Sequence, residues 1–71
     1  MKRKENLYFF NMENEIGELI KEARMKKGLS QGDLAKLTGI NRADISKYET
    51  GYRKPLSENL LKIVRGLDMK L

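Results

Sequence analysis

The 71-residue chain has no cysteine, no histidine, no tryptophan and a single proline. Each absence closes a class of function. Without cysteine there is no disulfide framework and no zinc site of the usual thiolate type. The redox compartment stays open, because an intracellular protein needs no cysteine. Without histidine as well, the ordinary transition-metal ligand sets cannot be assembled, and no histidine- or cysteine-based catalytic constellation can be built. No apolar stretch approaches the roughly 20 residues of a membrane-spanning helix. The segment after Lys2-Arg3-Lys4 is interrupted by Asn6, Asn11 and Glu13, which argues against a secretory signal. At this length one domain with one small core is the ceiling, and a cleft deep enough for catalysis is hard to make. The expectation is no enzyme, no catalytic residue, no metal and no cofactor.

What the chain has is positive charge. Fifteen Lys and Arg stand against ten Asp and Glu, a net of +5. That sign suits an anionic polymer or an anionic membrane surface. Its distribution is sharper than its sum. From Asn41 to Pro55 four cations (Arg42, Lys47, Arg53, Lys54) face two acids (Asp44, Glu49), and from Ile16 to Ser30 another four (Lys21, Arg24, Lys26, Lys27) face Glu18 and Glu22. Each segment is therefore +2.

Residues 1–12, MKRKENLYFFNM, stand apart from a domain over 13–71. Lys2, Arg3 and Lys4 form a basic tip, and LYFFNM is a short apolar run of high strand propensity. ENLYF also resembles most of a protease-recognition tag, with Phe10 where that site needs Gln. A native segment here reads as a packing arm, a dimerisation strand, a basic arm on phosphate, or an apolar surface for a protein partner.

The rest of the sequence is helical in pattern. A first helix is expected from about Glu13 to Lys27, with Ile16, Leu19, Ile20 and Ala23 as its buried face and Gly28 closing it. A second begins at Ser30, an N-cap with Asp33 in the capping-box position, and ends at Gly39; Leu34, Ala35 and Leu37 or Thr38 form its apolar side. A third opens at the N-cap Asn41 and ends before Gly51. After the loop YRKP, Leu56 or Ser57 opens a fourth, with Leu60, Leu61, Val64 and Leu67 as its buried stripe.

The stretch TGINRADISKYETG, residues 38–51, is where the chemistry concentrates. Ile40, Ile45 and Tyr48 can bury one side of the third helix, leaving Asn41, Arg42, Ala43, Ser46 and Lys47 on the other. A solvated helix face favours Glu and Lys, the good helix formers, over this set. Crossing two short helices over a three- to four-residue turn brings their backbones together, so a small residue, here Ala35, is expected at the contact. The turn itself needs a residue comfortable at positive φ, which Gly39 supplies. Leu34, Ile40 and Ile45 then fill the angle between the helices.

The pattern Gln31-x-x-Leu34-Ala35-x-x-x-Gly39-Ile40-x-x-x-x-Ile45-x-x-Tyr48-Glu49, followed by Gly51 and Pro55, resembles the phage-repressor/Cro-like (XRE-type) helix-turn-helix family. The likeness extends over about Glu15 to Leu67, through ARMKKGLSQ before the motif and LLKIVRGLDM after it. It implies an all-α, compact bundle of four to five helices with a central helix-turn-helix, a lambda-repressor-like DNA-binding domain. Members commonly continue into a fifth helix that helps them dimerise, and this sequence ends at Leu71.

The resemblance also implies roles. The second motif helix lies in the major groove with its N-terminal residues on base edges, which assigns base contacts to Asn41, Arg42, Ala43, Ser46 and Lys47. Arg42 and Lys47 suit guanine O6 and N7, and Ala43 offers its methyl to thymine. Phosphate contacts fall to Ser30, Gln31, Thr50, Tyr52, Arg53 and Lys54, with the helix N-terminal N–H groups at Gln31 and Gly32 adding to them. Arg24 and Glu49 occupy positions that pair in relatives, so a structural salt bridge is expected. Asp44 has two readings, a cap for the third helix or an acceptor for cytosine N4. Tyr48 reads as packing and Tyr52 as a loop aromatic beside basic residues.

The function implied is sequence-specific binding of double-stranded DNA by a bacterial or phage-type transcriptional repressor, a cytoplasmic, nucleoid-associated homodimer on an operator, with no membrane partner. Two alternatives stay open. One is an antitoxin or restriction-control regulator of its own operon, and the other a protein-interaction adaptor that keeps the fold without the DNA affinity.

Overall fold

A computed structural model of the chain describes residues 15–69, and every regular element in that range is an α-helix. The expectations for residues 1–12 and for a helix start at Glu13 lie outside the described residues. We number the helices α1 (15–26), α2 (Gln31–Thr38), α3 (Arg42–Thr50) and α4 (Ser57–Gly66).

Local chemistry sets the breaks between them. Ser30 caps α2 in a reciprocal box: the Asp33 N–H donates to Ser30 Oγ at 2.9 Å, and the Ser30 N–H donates to Asp33 Oδ2 at 2.9 Å. Gly39, at φ 79°, ends the helix in the left-handed region that glycine reaches without strain. Asn41 caps α3 by accepting the Ala43 N–H on Oδ1 at 2.8 Å. Helix α4 starts from Leu56 with no side-chain cap bond.

The same three-residue device closes both motif helices. Thr38 Oγ1 donates back to the Leu34 carbonyl at 2.8 Å and accepts the Ile40 N–H at 3.2 Å. Thr50 Oγ1 donates to the Lys47 carbonyl at 3.1 Å and accepts the Tyr52 N–H at 3.4 Å. The first Thr-Gly turn sends Ile40 into the core, whereas the second leaves Tyr52 in solvent.

Ile20, Leu34, Ile40, Ile45, Tyr48, Ile63 and Leu67 form the buried core, one or two side chains from each helix with Ile40 from the α2–α3 turn and Leu67 from the end of α4. Helix α2 packs against both α3 and α4. Two sequence expectations need correction, and one open alternative is settled. Leu19 is exposed on α1, where the inward face is Ile16, Gly17, Ile20, Ala23 and Arg24 instead. On α4 the buried stripe is shifted: Ile63 is fully buried and Leu61 is exposed, because Leu60, Ile63, Val64 and Leu67 keep the i, i+3, i+4, i+7 spacing. Of the two options on α2, Thr38 turns inward and Leu37 stays exposed.

Ala35, the small residue of the motif, packs partly buried against the core. A close backbone approach that the motif does not announce lies at Gly17, where α1 meets the end of α3. A Cβ on Gly17 would collide with the Tyr48 carbonyl oxygen and stand 2.8 Å from that of Glu49. Glycine is required there by contact rather than by its own dihedrals.

Candidate nucleic-acid interface

The recognition candidates share one surface of α3. Asn41, Arg42 and Ala43 are exposed, and Ser46 and Lys47 are half-buried on the turn behind them. Ile45, Tyr48 and Glu49 point the opposite way and are buried. The Tyr48 hydroxyl accepts from Asn59 Nδ2 at 2.9 Å, which ties α3 to α4. Tyr48 is thus a packing residue with a satisfied polar end.

The start of α2 is joined to this surface at two points. Gln31 Nε2 donates to Glu49 Oε1 at 3.1 Å. The position a Cβ would take on Gly32 lies 4.0 Å from Arg42 Cδ, so the aliphatic stem of Arg42 runs past the first turn of α2. In that turn the N–H groups of Gln31 and Gly32 have no intrahelical acceptor. Ser30, Gln31 and Arg42 therefore stand side by side along one edge.

A buried ionic network sits beneath. Arg24 donates from Nε to Glu49 Oε2 at 2.7 Å and from Nη2 to Glu49 Oε1 at 3.0 Å, a two-pronged pair. Its Nη1 donates to the Leu29 carbonyl at 2.8 Å, holding the loop between α1 and α2. The Glu49 side chain is 3% exposed and that of Arg24 10%. Hydrogen bonding to Glu49 raises the proton affinity of the Arg24 guanidinium above the ordinary arginine value, against the pull of burial. One carboxylate thus collects bonds from α1 and α2 while belonging to α3.

The other edge is the loop after α3. Gly51, at φ 84°, turns the chain, and the Lys47 carbonyl accepts the N–H groups of both Tyr52, at 3.0 Å, and Arg53, at 3.2 Å. The loop is thereby folded against the end of α3 with Thr50, Tyr52, Arg53 and Lys54 exposed, while Pro55 turns inward. All eleven residues expected to touch DNA lie on α3, the start of α2, or this loop. Nothing in their geometry forms a catalytic pair, and among the described residues no three acidic or metal-ligating side chains converge.

Sequence reasoning missed Gly17, Ile63, the Thr38 and Thr50 hydroxyl bridges and the Gln31–Glu49 bond. A signal existed for Gly17. Glycine inside a helix costs about 1 kcal/mol relative to alanine, so one on the inward face between Ile16 and Ile20 marks a close approach.

Residues 20–71 match the Helix-turn-helix family model. The chain is 42% identical over 55 residues to an HTH-type regulatory protein of Methanocaldococcus jannaschii, covering 78% of this chain and 17% of that protein. It is 40% identical over 48 residues to the HTH-type transcriptional regulator ImmR of Bacillus subtilis, covering 68% of this chain and 38% of ImmR. The chain thus spans well under half the length of these relatives. In structure it is similar to the restriction-modification controller protein C.AhdI of Aeromonas hydrophila. That match has 37% identity and a TM-score of 0.77, covering 80% of this chain and 86% of the controller.

Proposed function

The chain belongs to the helix-turn-helix family, and from that premise we propose that it binds double-stranded DNA in a sequence-specific way and regulates transcription by occupying an operator. One observation carries the reading: Asn41, Arg42 and Ala43 are exposed with Ser46 and Lys47 half-buried behind them, beside the α2 N-terminus and the basic loop, while the large apolar residues of α3, Ile45 and Tyr48, are buried on the opposite side. An α-helix presented in this way fits the major groove, with flanking N–H groups and cations on the phosphates. Asn41, Arg42, Ala43, Ser46 and Lys47 then face base edges. Ser30, Gln31, Thr50, Tyr52, Arg53 and Lys54 face the backbone.

Single base contacts discriminate by about 1–3 kcal/mol each, so one copy on a few base pairs is a weak reader. A homodimer on two half-sites about one helical turn apart supplies the rest. A restriction-control role draws support from the structural likeness to the controller C.AhdI, at 37% identity and a TM-score of 0.77.

Selection of bound sites from a random duplex pool, followed by binding of the selected site at rising salt, tests the function. We expect a two-fold symmetric site and affinity that falls steeply with salt. An adaptor without DNA affinity returns no enriched site at any salt, which would overturn the reading. In the same assay Arg42→Ala loses preference at one position of each half-site, with about a tenfold or greater loss for the selected site. Unchanged preference would place the groove-facing side elsewhere.

A further inference from the structure

Two aspartates occupy the third position of successive helices, Asp33 in α2 and Asp44 in α3, and they are used differently. Asp33 closes the capping box with Ser30. Asp44 does not close one with Asn41. The Asn41 side chain takes the Ala43 N–H at 2.8 Å, and the Asp44 N–H goes to the Asn41 carbonyl at 3.0 Å. The ion pairs among the described residues are Arg24–Glu49, Lys27–Asp68 and Lys62–Glu58, and no described residue bonds the Asp44 carboxylate. The capping reading of Asp44 therefore falls, and a half-buried acid is left without a partner among the described residues, on the surface that also carries Arg42 and Lys47.

Its place on the helix is informative. At 3.6 residues per turn Asp44 stands about 60° around α3 from Lys47 and about 160° from Arg42. Arg42 thus edges the exposed arc on the α2 side, and Asp44 edges it on the side of Tyr48, whose hydroxyl meets α4. Both belong to the first turn, the part of a groove-bound helix that reaches base edges.

We propose, building on the DNA-binding function above, that Asp44 is a specificity-determining residue that reads a cytosine through its exocyclic amino group in the major groove. A carboxylate brought to DNA is repelled by phosphate and by every acceptor on the groove floor. Guanine shows only O6 and N7 there, and thymine O4 and a methyl. Adenine offers its N6 amino group with the acceptor N7 beside it, an arrangement that suits an amide rather than a group with two acceptors. Cytosine N4 presents a donor with no acceptor of its own base beside it in the groove. Asp44 selects cytosine and disfavours the other three bases at the same position.

The test compares sites selected by the wild type, Asp44→Asn and Asp44→Ala, with melting temperatures measured alongside. The wild type should fix cytosine at one position of each half-site. Asp44→Asn, isosteric and with a donor added, should move that position to adenine, and Asp44→Ala should leave it unread, all other positions unchanged. In a synthetic site, N4-methylcytosine at that position puts a methyl where the groove-facing N–H was. It should weaken the wild type about tenfold or more and leave Asp44→Ala unaffected. Identical preferences in all three proteins overturn the proposal. So does tolerance of N4-methylcytosine by the wild type, or a melting change with no positional change, the mark of a purely structural acid. Enrichment of no DNA by the wild type overturns the DNA-binding function itself, and this assignment with it.

Discussion

A buried guanidinium must have its charge met inside the protein, and at Arg24 one carboxylate, Glu49, meets it with two bonds. Removing a single partner of such a pair strands the other and costs about 3–5 kcal/mol. We therefore expect Arg24→Met to lose about that much in urea unfolding, a large part of the roughly 5–15 kcal/mol that holds a domain together. Arg24→Met with Glu49→Leu should recover much of the loss, since an apolar pair strands no charge. At Gly17 the physics is steric instead. Gly17→Ala places a methyl against the Tyr48 and Glu49 carbonyls, and α1 must move away. The expected loss is about 1–3 kcal/mol in the same measurement, as for an overpacked core. Glu49 was legible in the sequence because its position in the motif pairs with Arg24 in relatives. Its bond to Gln31 was not, since no spacing rule brings residues 18 apart together.

Helix ends were more legible than helix faces. Ser30, Asp33, Gly39, Asn41 and Gly51 act through bonds or dihedrals within a few residues of themselves, so the sequence names them directly. Faces depend on what arrives from elsewhere. In α4 the run Leu60, Leu61, Ile63, Val64 admits two stripes, and only the packing of α2 on α4 selects the one through Ile63. In α1 a charged Arg24 lies inside the buried stripe, which hides it from a hydrophobicity count and makes Leu19 look internal. The cap of α2 carries a prediction of its own. Ser30→Ala should cost about 0.5–2 kcal/mol. Hydrogen bonding from Ser30, its backbone N–H first, holds the Asp33 carboxyl below the usual aspartate range. The unfolded chain then binds the proton more readily than the folded one. Stability from this contact is fully present above the ordinary aspartate value of about 3.9 and is lost as pH falls through the lower folded value. Asp33→Asn should flatten that acid limb in a pH series of unfolding curves, with little change at neutral pH beyond the lost cap.

On the scale of the molecule the net charge of +5 is shared between structure and surface. Arg24 is spent internally on Glu49, and Lys27 reaches Asp68 at 3.1 Å across the ends of α1 and α4. Arg42, Lys47, Arg53 and Lys54 lie on the α3 face and its following loop. If these cations divide into base readers and phosphate contacts as proposed, the two groups respond differently to salt. A residue on phosphate displaces a condensed counterion, so its loss lowers the slope of log affinity against log salt by about 0.9 per contact. Its effect is the same on every sequence. A residue on a base edge changes which sequence is preferred and leaves most of the slope in place. Arg53→Ala should therefore weaken selected and random duplexes alike and flatten the salt slope by about one counterion per protomer. Arg42→Ala should narrow the gap between selected and random duplexes at every salt. Fluorescence anisotropy of both variants on both duplexes from low to high salt separates these outcomes. If Arg53→Ala altered sequence preference, or left the slope untouched, the loop would not lie along the backbone, and the groove-facing surface would have to be redrawn around it.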